Sequence, residues 1–237
     1  MSLRIGSCIQ RSWVLYQSKF GDIFIATFLV FLASSVVSSV PYLGPLASLI
    51  LNGIFYGGLY TFFLKAIRGQ KTDLSDAFSG FQMNPGQLML GGAVPGVLGL
   101  MAACIPAIPF LVAFIPAVIL FSKSSEYNTD ALVSALSGLG IISLLVCIAV
   151  GTFFFVTWIF TLPLIADKRF TFWDAMEASR KTAMKFLFRL LGLVIVSGLV
   201  SCSGILLCCV GIVLTIPIGF GAIVYAYEDL MGGQAGL

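Results

Sequence analysis

Asp167, Asp174 and Glu177 lie close together in ADKRFTFWDAMEASRKTAMKFLFR, residues 166–189. A carboxylate pair is the minimum equipment for general acid–base work, one member protonated and the other ionised. Such a pair needs an environment that drives its two pKa values apart. Here the acids are interleaved with Lys168, Arg169, Arg180, Lys181, Lys185 and Arg189, the composition of a solvated connector. The chain has no histidine, which removes imidazole acid–base, triad and histidine-metal chemistry, and no P-loop spacing occurs. Six cysteines, at 8, 104, 147, 202, 208 and 209, show no metal-ligand spacing. They read as small apolar packing residues, with a disulfide near the outer face left open. None of the ten acids or thirteen bases falls in the middle of an apolar run, where an ion-coupled pump or proton relay would carry one. The expectation is a non-enzymatic protein with no cofactor, no metal and no nucleic-acid partner.

The surroundings of that charged island set the class. The chain is 59% apolar and 10% charged, with mean hydropathy +1.06, whereas soluble domains are roughly a quarter charged. Residues 23–64, 77–122, 131–166 and 190–227 contain no charge at all. A membrane crossing takes about 20 apolar residues, so most of these runs have room for two helices. The reading is an all-α polytopic membrane protein, a single integral membrane domain over 1–237 with about six transmembrane helices. The N-terminus lacks a continuous apolar core and a small-residue cleavage site, so no cleaved signal is expected. Twelve of the thirteen cations lie in 4–19, 65–71 and 168–189. If these share one side, the positive-inside rule puts them, and both termini, in the cytoplasm.

Internal similarity organises the same material. An offset of 98 lays Asp76 on Asp174, Ala77 on Ala175, Tyr60 on Trp158, Leu64 on Leu162 and Gly53 on Gly151. An offset of 167 lays Ser12 on Ser179, Gly44 on Gly211 and Tyr60 on Tyr227. The order kept is polar helix, apolar span, turn, apolar span. Three tandem amphipathic-helix-plus-hairpin units follow, about 3–66, 72–165 and 170–230.

In this scheme the island at 166–189 begins the third unit as an interfacial helix. Thr171 and Asp174 have capping-box spacing, Glu177 and Lys181 form an i,i+4 pair, and acids precede bases as the helix dipole favours. Trp173, Met176, Met184 and Leu187 share a face, with Arg180 on the same side. In the first segment Ile5, Ile9, Trp13, Tyr16 and Phe20 share a face opposite Arg4 and Arg11. Helices of this kind lie in the membrane interface against anionic lipid headgroups. Arg11, Trp13, Trp173, Arg180, Lys181, Lys185 and Arg189 are therefore the candidate contacts to lipid or to a membrane-protein partner.

Pro41, Gly44 and Pro45 break the first run, predicting spans near 22–40 and 46–65; a break near Cys208–Gly211 predicts spans near 188–207 and 210–228. The second unit is longer, and Pro106, Pro109 and Pro116 argue against one straight helix. A re-entrant or interfacial apolar segment at 105–121, then a polar loop, is expected there. Pro163 is expected to kink the end of its span. Asn52 is a candidate conduit-lining residue, and Gly53 with Gly57, like Gly92 with Gly96, has the GxxxG spacing of close helix contact, within the chain or in a homo-oligomer.

WIFTLPLIADKRFTFWDAMEASRK (158–181) and VPYLGPLASLILNGIFYGGLYTFFLKAIRG (40–69) resemble a broad group of bacterial six-helix membrane proteins. These are similar to the membrane domain attached to some glycerophosphoryl diester phosphodiesterases. The shared pattern is a span ending in LPL, an acid, then a surface helix with Ala and Ser ahead of basic residues, here Leu162, Pro163, Leu164, Asp167, Ala175, Ser179 and Arg180. The resemblance implies the fold and a bacterial inner-membrane location, and it transfers no catalytic residue. The expected role is a scaffold, accessory subunit or regulator of a membrane partner, or a lipid binder. The alternative is a channel or facilitator for a small neutral or lipidic molecule.

Overall fold

The computed structural model describes residues 4–42, 44–123, 129–204 and 210–232. Every regular element among them is helical: α1 (Ile5–Ser18), α2 (Phe20–Ser38), α3 (Gly44–Ile67), a 3-10 helix (Leu74–Phe81), α4 (Pro85–Lys123), α5 (Thr129–Thr157), α6 (Thr161–Lys168), α7 (Phe172–Lys185), α8 (Leu187–Ser203) and α9 (Val210–Met231). Four stretches among the described residues are long and apolar enough to cross a membrane: Phe20–Ser38, Ala47–Ile67, Pro85–Ile108 and Gly140–Lys168. The bent pair α7–α8 makes a fifth if taken as one broken span. With so few breaks for water to solvate, the apolar runs satisfy their backbone groups internally, as lipid demands.

Two compact bodies are present, one drawn from Met1–Val94 and Val156–Leu237, the other from Pro95–Phe155. In the first, Leu59, Phe62 and Phe63 of α3, Leu164 of α6, Leu190 and Leu193 of α8 and Tyr227 of α9 form the buried core. Phe220 of α9 lies between Tyr60 and Phe63, with ring centroids 4.5 and 5.1 Å away. Outward-facing positions are equally apolar, among them Phe28, Leu32 and Val36 on α2 and Phe188, Ile195 and Leu199 on α8. An oily outside around an oily inside costs nothing against lipid, where it would drive aggregation in water.

The second body consists of α4 and α5 residues. The Ser143 hydroxyl donates to the Pro106 carbonyl at 2.8 Å, and the Cys147 thiol to the Ala103 carbonyl at 3.3 Å. The segment at 105–121 differs from expectation. It is unbroken helix, because α4 runs through Pro106, Pro109 and Pro116 to Lys123. Outside water an unwound turn would strand more backbone groups than the prolines themselves do. The polar loop expected next falls at 124–128, outside the described residues, as do Cys208 and Cys209 of the predicted break, while Val210 and Gly211 already belong to α9.

Turns follow local chemistry. Gly44 begins α3 so close to α2 that a Cβ would sit 2.5 Å from the Ser38 carbonyl oxygen. Gly69, at φ 68°, ends α3 in a Schellman arrangement, with Gln70 N–H on Lys65 O and Gly69 N–H on Ala66 O. Arg169 ends α6 in the left-handed region at φ 53°, an unusual place for a residue with a Cβ. Helix is interrupted at 158–160 within the Gly140–Lys168 stretch, and Pro163 falls in the first turn of α6 just after that break, where a missing N–H is no loss.

Candidate functional site

Ionisable side chains gather where the helices of the first body end. Arg68, just beyond α3, grips both oxygens of Asp167 at 2.6 and 2.9 Å. The same guanidinium reaches both oxygens of Glu228 on α9, at 3.3 and 2.9 Å. The Tyr227 hydroxyl donates to Asp167 at 3.0 Å, and the Lys168 ammonium donates to the Met231 carbonyl at 2.7 Å. One planar cation thus joins the ends of α3, α6 and α9 with the bidentate geometry that only arginine offers. Asp167 is consequently a half-buried structural carboxylate and no solvated connector residue, which corrects the sequence reading. Nothing in the spacing of Arg68, Asp167 and Glu228 announces the cluster. Its only sequence signal is that each follows the end of an apolar run.

A second node lies beside it. Arg11 of α1 forms an ion pair with Asp229, while its guanidinium carbon stands 4.8 Å from the Tyr225 ring centre. The Cys8 thiol is buried against this pair, 3.8 Å from Asp229. Burial, then the nearby Asp229 charge, pushes that thiol's pKa up, away from reactivity. Ser12 of α1 is also buried and donates to the Ile218 carbonyl at 2.7 Å. Arg11 therefore docks α1 on α9, whereas Trp13, on the same helix, stays exposed.

The third node pairs Lys65 of α3 with Asp76 of the 3-10 helix at 2.7 Å. Asp73 and Asp76 there form a complete capping box. Burial alone would raise the Asp76 carboxyl; the Lys65 ammonium and the Asp73 N–H outweigh it and hold its pKa below the usual carboxylate range. At α7 the cap is simpler than the spacing suggests. Thr171 accepts the Asp174 N–H, but the Asp174 carboxylate takes the Thr171 hydroxyl in place of a backbone N–H.

The buried face of α7 carries Ala175, Met176, Ser179 and Ala183. Ser179 repairs the gap between α5 and α6: its hydroxyl donates to Thr157 O at 2.9 Å and accepts from Phe160 N–H at 3.2 Å. Gln87 accepts the Phe172 N–H at 2.7 Å and fastens the start of α7 to α4. Met176 and Met184, which the helical wheel put on one face, part company, because small residues let α7 press in on the Ala175–Ser179–Ala183 side. Trp173, Arg180, Lys181, Met184, Lys185 and Arg189 are all exposed. Lys181 is bonded to Glu177 at 2.7 Å, and that contact lowers the glutamate's pKa.

Asn52, the conduit candidate, accepts a hydrogen bond from Ser34 at 2.6 Å, tying α3 to α2. Gly53 meets α4 so closely that a Cβ would lie 2.1 Å from the Leu88 carbonyl oxygen, and a Cβ on Gly92 would lie 2.8 Å from the Gly53 Cα. Gly57 faces only the Leu88 side chain. Both glycines thus pack α3 against α4 within one chain. Among the described residues no cluster of three or more His, Cys, Asp or Glu is arranged to hold a metal ion. In comparisons with known proteins, no protein-family model, curated protein or solved structure matches the chain.

Proposed function

We propose that this chain is a non-enzymatic membrane scaffold, an accessory or regulatory subunit for a membrane partner, built from three surface-helix-plus-hairpin repeats. The observation that carries the reading is the Arg68 clasp. Arg68, Asp167 and Glu228 are spent on one another and hold helix ends together, which serves rigidity better than turnover.

The repeat reading has several independent supports. Arg4, Asp73 and Thr171 are the N-caps of α1, the 3-10 helix and α7, and the offsets of 69 and 98 relate them. The same offsets relate Cys8, Ala77 and Ala175, each with no exposed surface. Lys19 and Phe186, 167 apart, form similar elbows between helices, with φ of −130° and −120°. Each surface helix packs on the closing helix of the repeat before it: α1 on α9, the 3-10 helix on α3, and α7 on α6. Six crossings follow if α8 and α9 form the third hairpin. An even number per repeat would leave both termini and the cation clusters in the cytoplasm. Placement in a bacterial inner membrane rests on the resemblance of 40–69 and 158–181.

Mild extraction of the tagged chain at native abundance, followed by mass spectrometry of what co-purifies, tests the role. A stoichiometric membrane-protein partner is expected. Recovery of the chain alone, with solute flux in liposomes that Asn52→Leu abolishes, would overturn the scaffold in favour of a conduit.

A further inference from the structure

We infer that the α7–α8 elbow is a docking face for the anionic headgroups of phospholipid. The inference rests on the repeat reading above and begins where that reading stops. Burial of Ala175, Ser179 and Ala183 is what any surface helix of the repeat needs. The cations beyond them are not. Arg11, which faces α9 on the first surface helix, is consumed by Asp229, and the 3-10 helix carries acids and no base. On α7 and the start of α8, by contrast, Arg180, Lys185 and Arg189 are exposed and their side chains make no ion pair or hydrogen bond among the described residues.

Apolar groups stand beside these charges. Arg180 and Met184 each lie within about 20° of Trp173 around the helix at 100° per residue, and Trp173 and Met184 are 64% and 54% exposed. Phe188, one residue before Arg189, is 86% exposed. The two helices meet at 96°. With apolar α8 running across the bilayer, α7 lies along its surface, so its cations stand at headgroup depth and its indole at the interface. Tryptophan and phenylalanine supply the apolar contact, and the fixed positive charge selects anionic over zwitterionic lipid. Near an anionic surface each such cation contributes about fivefold in preference.

Bromine-labelled lipid and a protein with Trp173 as sole tryptophan (Trp13→Phe, Trp158→Phe) test this in nanodiscs. Dibrominated phosphatidylglycerol should quench Trp173 at a mole fraction at least tenfold lower than dibrominated phosphatidylcholine. The Arg180→Gln, Lys185→Gln, Arg189→Gln variant should reduce that preference to below twofold, and Arg180→Lys with Arg189→Lys should keep it. Salt at 0.5 M should shrink it by screening, to a Debye length of about 4 Å. Equal quenching by the two lipids overturns the inference, as does selectivity that survives in the Gln variant. Absence of quenching by either lipid overturns it too, and would mean the face is turned to water or covered by protein. The scaffold reading stands or falls separately, on whether the partner is recovered with wild type and the Gln variant alike from zwitterionic nanodiscs.

Discussion

Arg68 serves two carboxylates, and removing it would leave Asp167 and Glu228 facing each other without a cation. Their side chains are 14% and 28% exposed, against 32% for Arg68. Breaking a fully buried pair costs about 3–5 kcal/mol; with this much water access the loss for Arg68→Gln should be about 1–3 kcal/mol. Thermal unfolding in detergent would measure it. Arg68→Gln with Asp167→Asn should recover part of the loss, since the second change removes the orphaned charge. Asp76 gives a second test. Its folded pKa is held below the roughly 3.9 of a free carboxyl. Its contribution is therefore complete above about pH 4 and lost as the pH falls through the folded value. Below pH 4 the melting temperature of wild type should fall more steeply than that of Asp76→Asn, and above pH 5 wild type should be the more stable. Curves that stay parallel throughout would mean the Lys65 pair contributes nothing.

Helix contacts depend on where a side chain can and cannot exist. A Cβ on Gly53 would run into backbone at Leu88, one on Gly57 would meet only the movable Leu88 side chain, and one on Gly151 would meet nothing within 4 Å. Gly53→Ala should therefore lower detergent melting by several times the effect of Gly57→Ala, and Gly151→Ala should be neutral or slightly stabilising through helix propensity. Equal effects at the three sites would refute the α3–α4 contact. The sequence reading could reach part of this. GxxxG spacing pointed to Gly53 and Gly57, but spacing alone does not say whether the neighbour is backbone or side chain. The start of α7 is legible because a cap is a local property: the helix follows Thr171, which the capping-box spacing singles out. Helix continues through the prolines of 105–121 because proline rules calibrated in water overstate their breaking power in an apolar run. The Arg68 node was invisible for a different reason. Its members are 99 and 160 residues from Arg68 in sequence, and no local pattern carries that distance.

For the molecule as a whole, the contact of α1 with α9 matters most, because it joins the first proposed repeat to the last. If each surface helix rests on the preceding repeat's closing helix, the three junctions are alike and the order of the repeats has no privileged start. Arg11 with Asp229 and Ser12 with Ile218 are then the closing contacts, matching Ser179 with Thr157 at another junction. Equivalent junctions tolerate a change in where the chain begins. A permuted chain that runs from 170 to 237, through a flexible linker, to 1–169 should fold into a monodisperse particle melting within a few degrees of wild type. Its α7 would reach α6 with no covalent tether, since Ser179 bonds α7 to the α5–α6 turn and the Arg68 clasp ties α6 to α9 without the chain. Orientation is tested in the same experiment. With an even number of crossings per repeat, moving the third to the front leaves every cation cluster on its original side. A C-terminal fluorescent tag that matures only in the cytoplasm should then be bright on both chains. A dim permutant of normal abundance would mean the third repeat crosses an odd number of times. A bright but unfolded one would mean that the link through Arg169 and Phe170, and not the contacts between helices, is what holds the third repeat against the second.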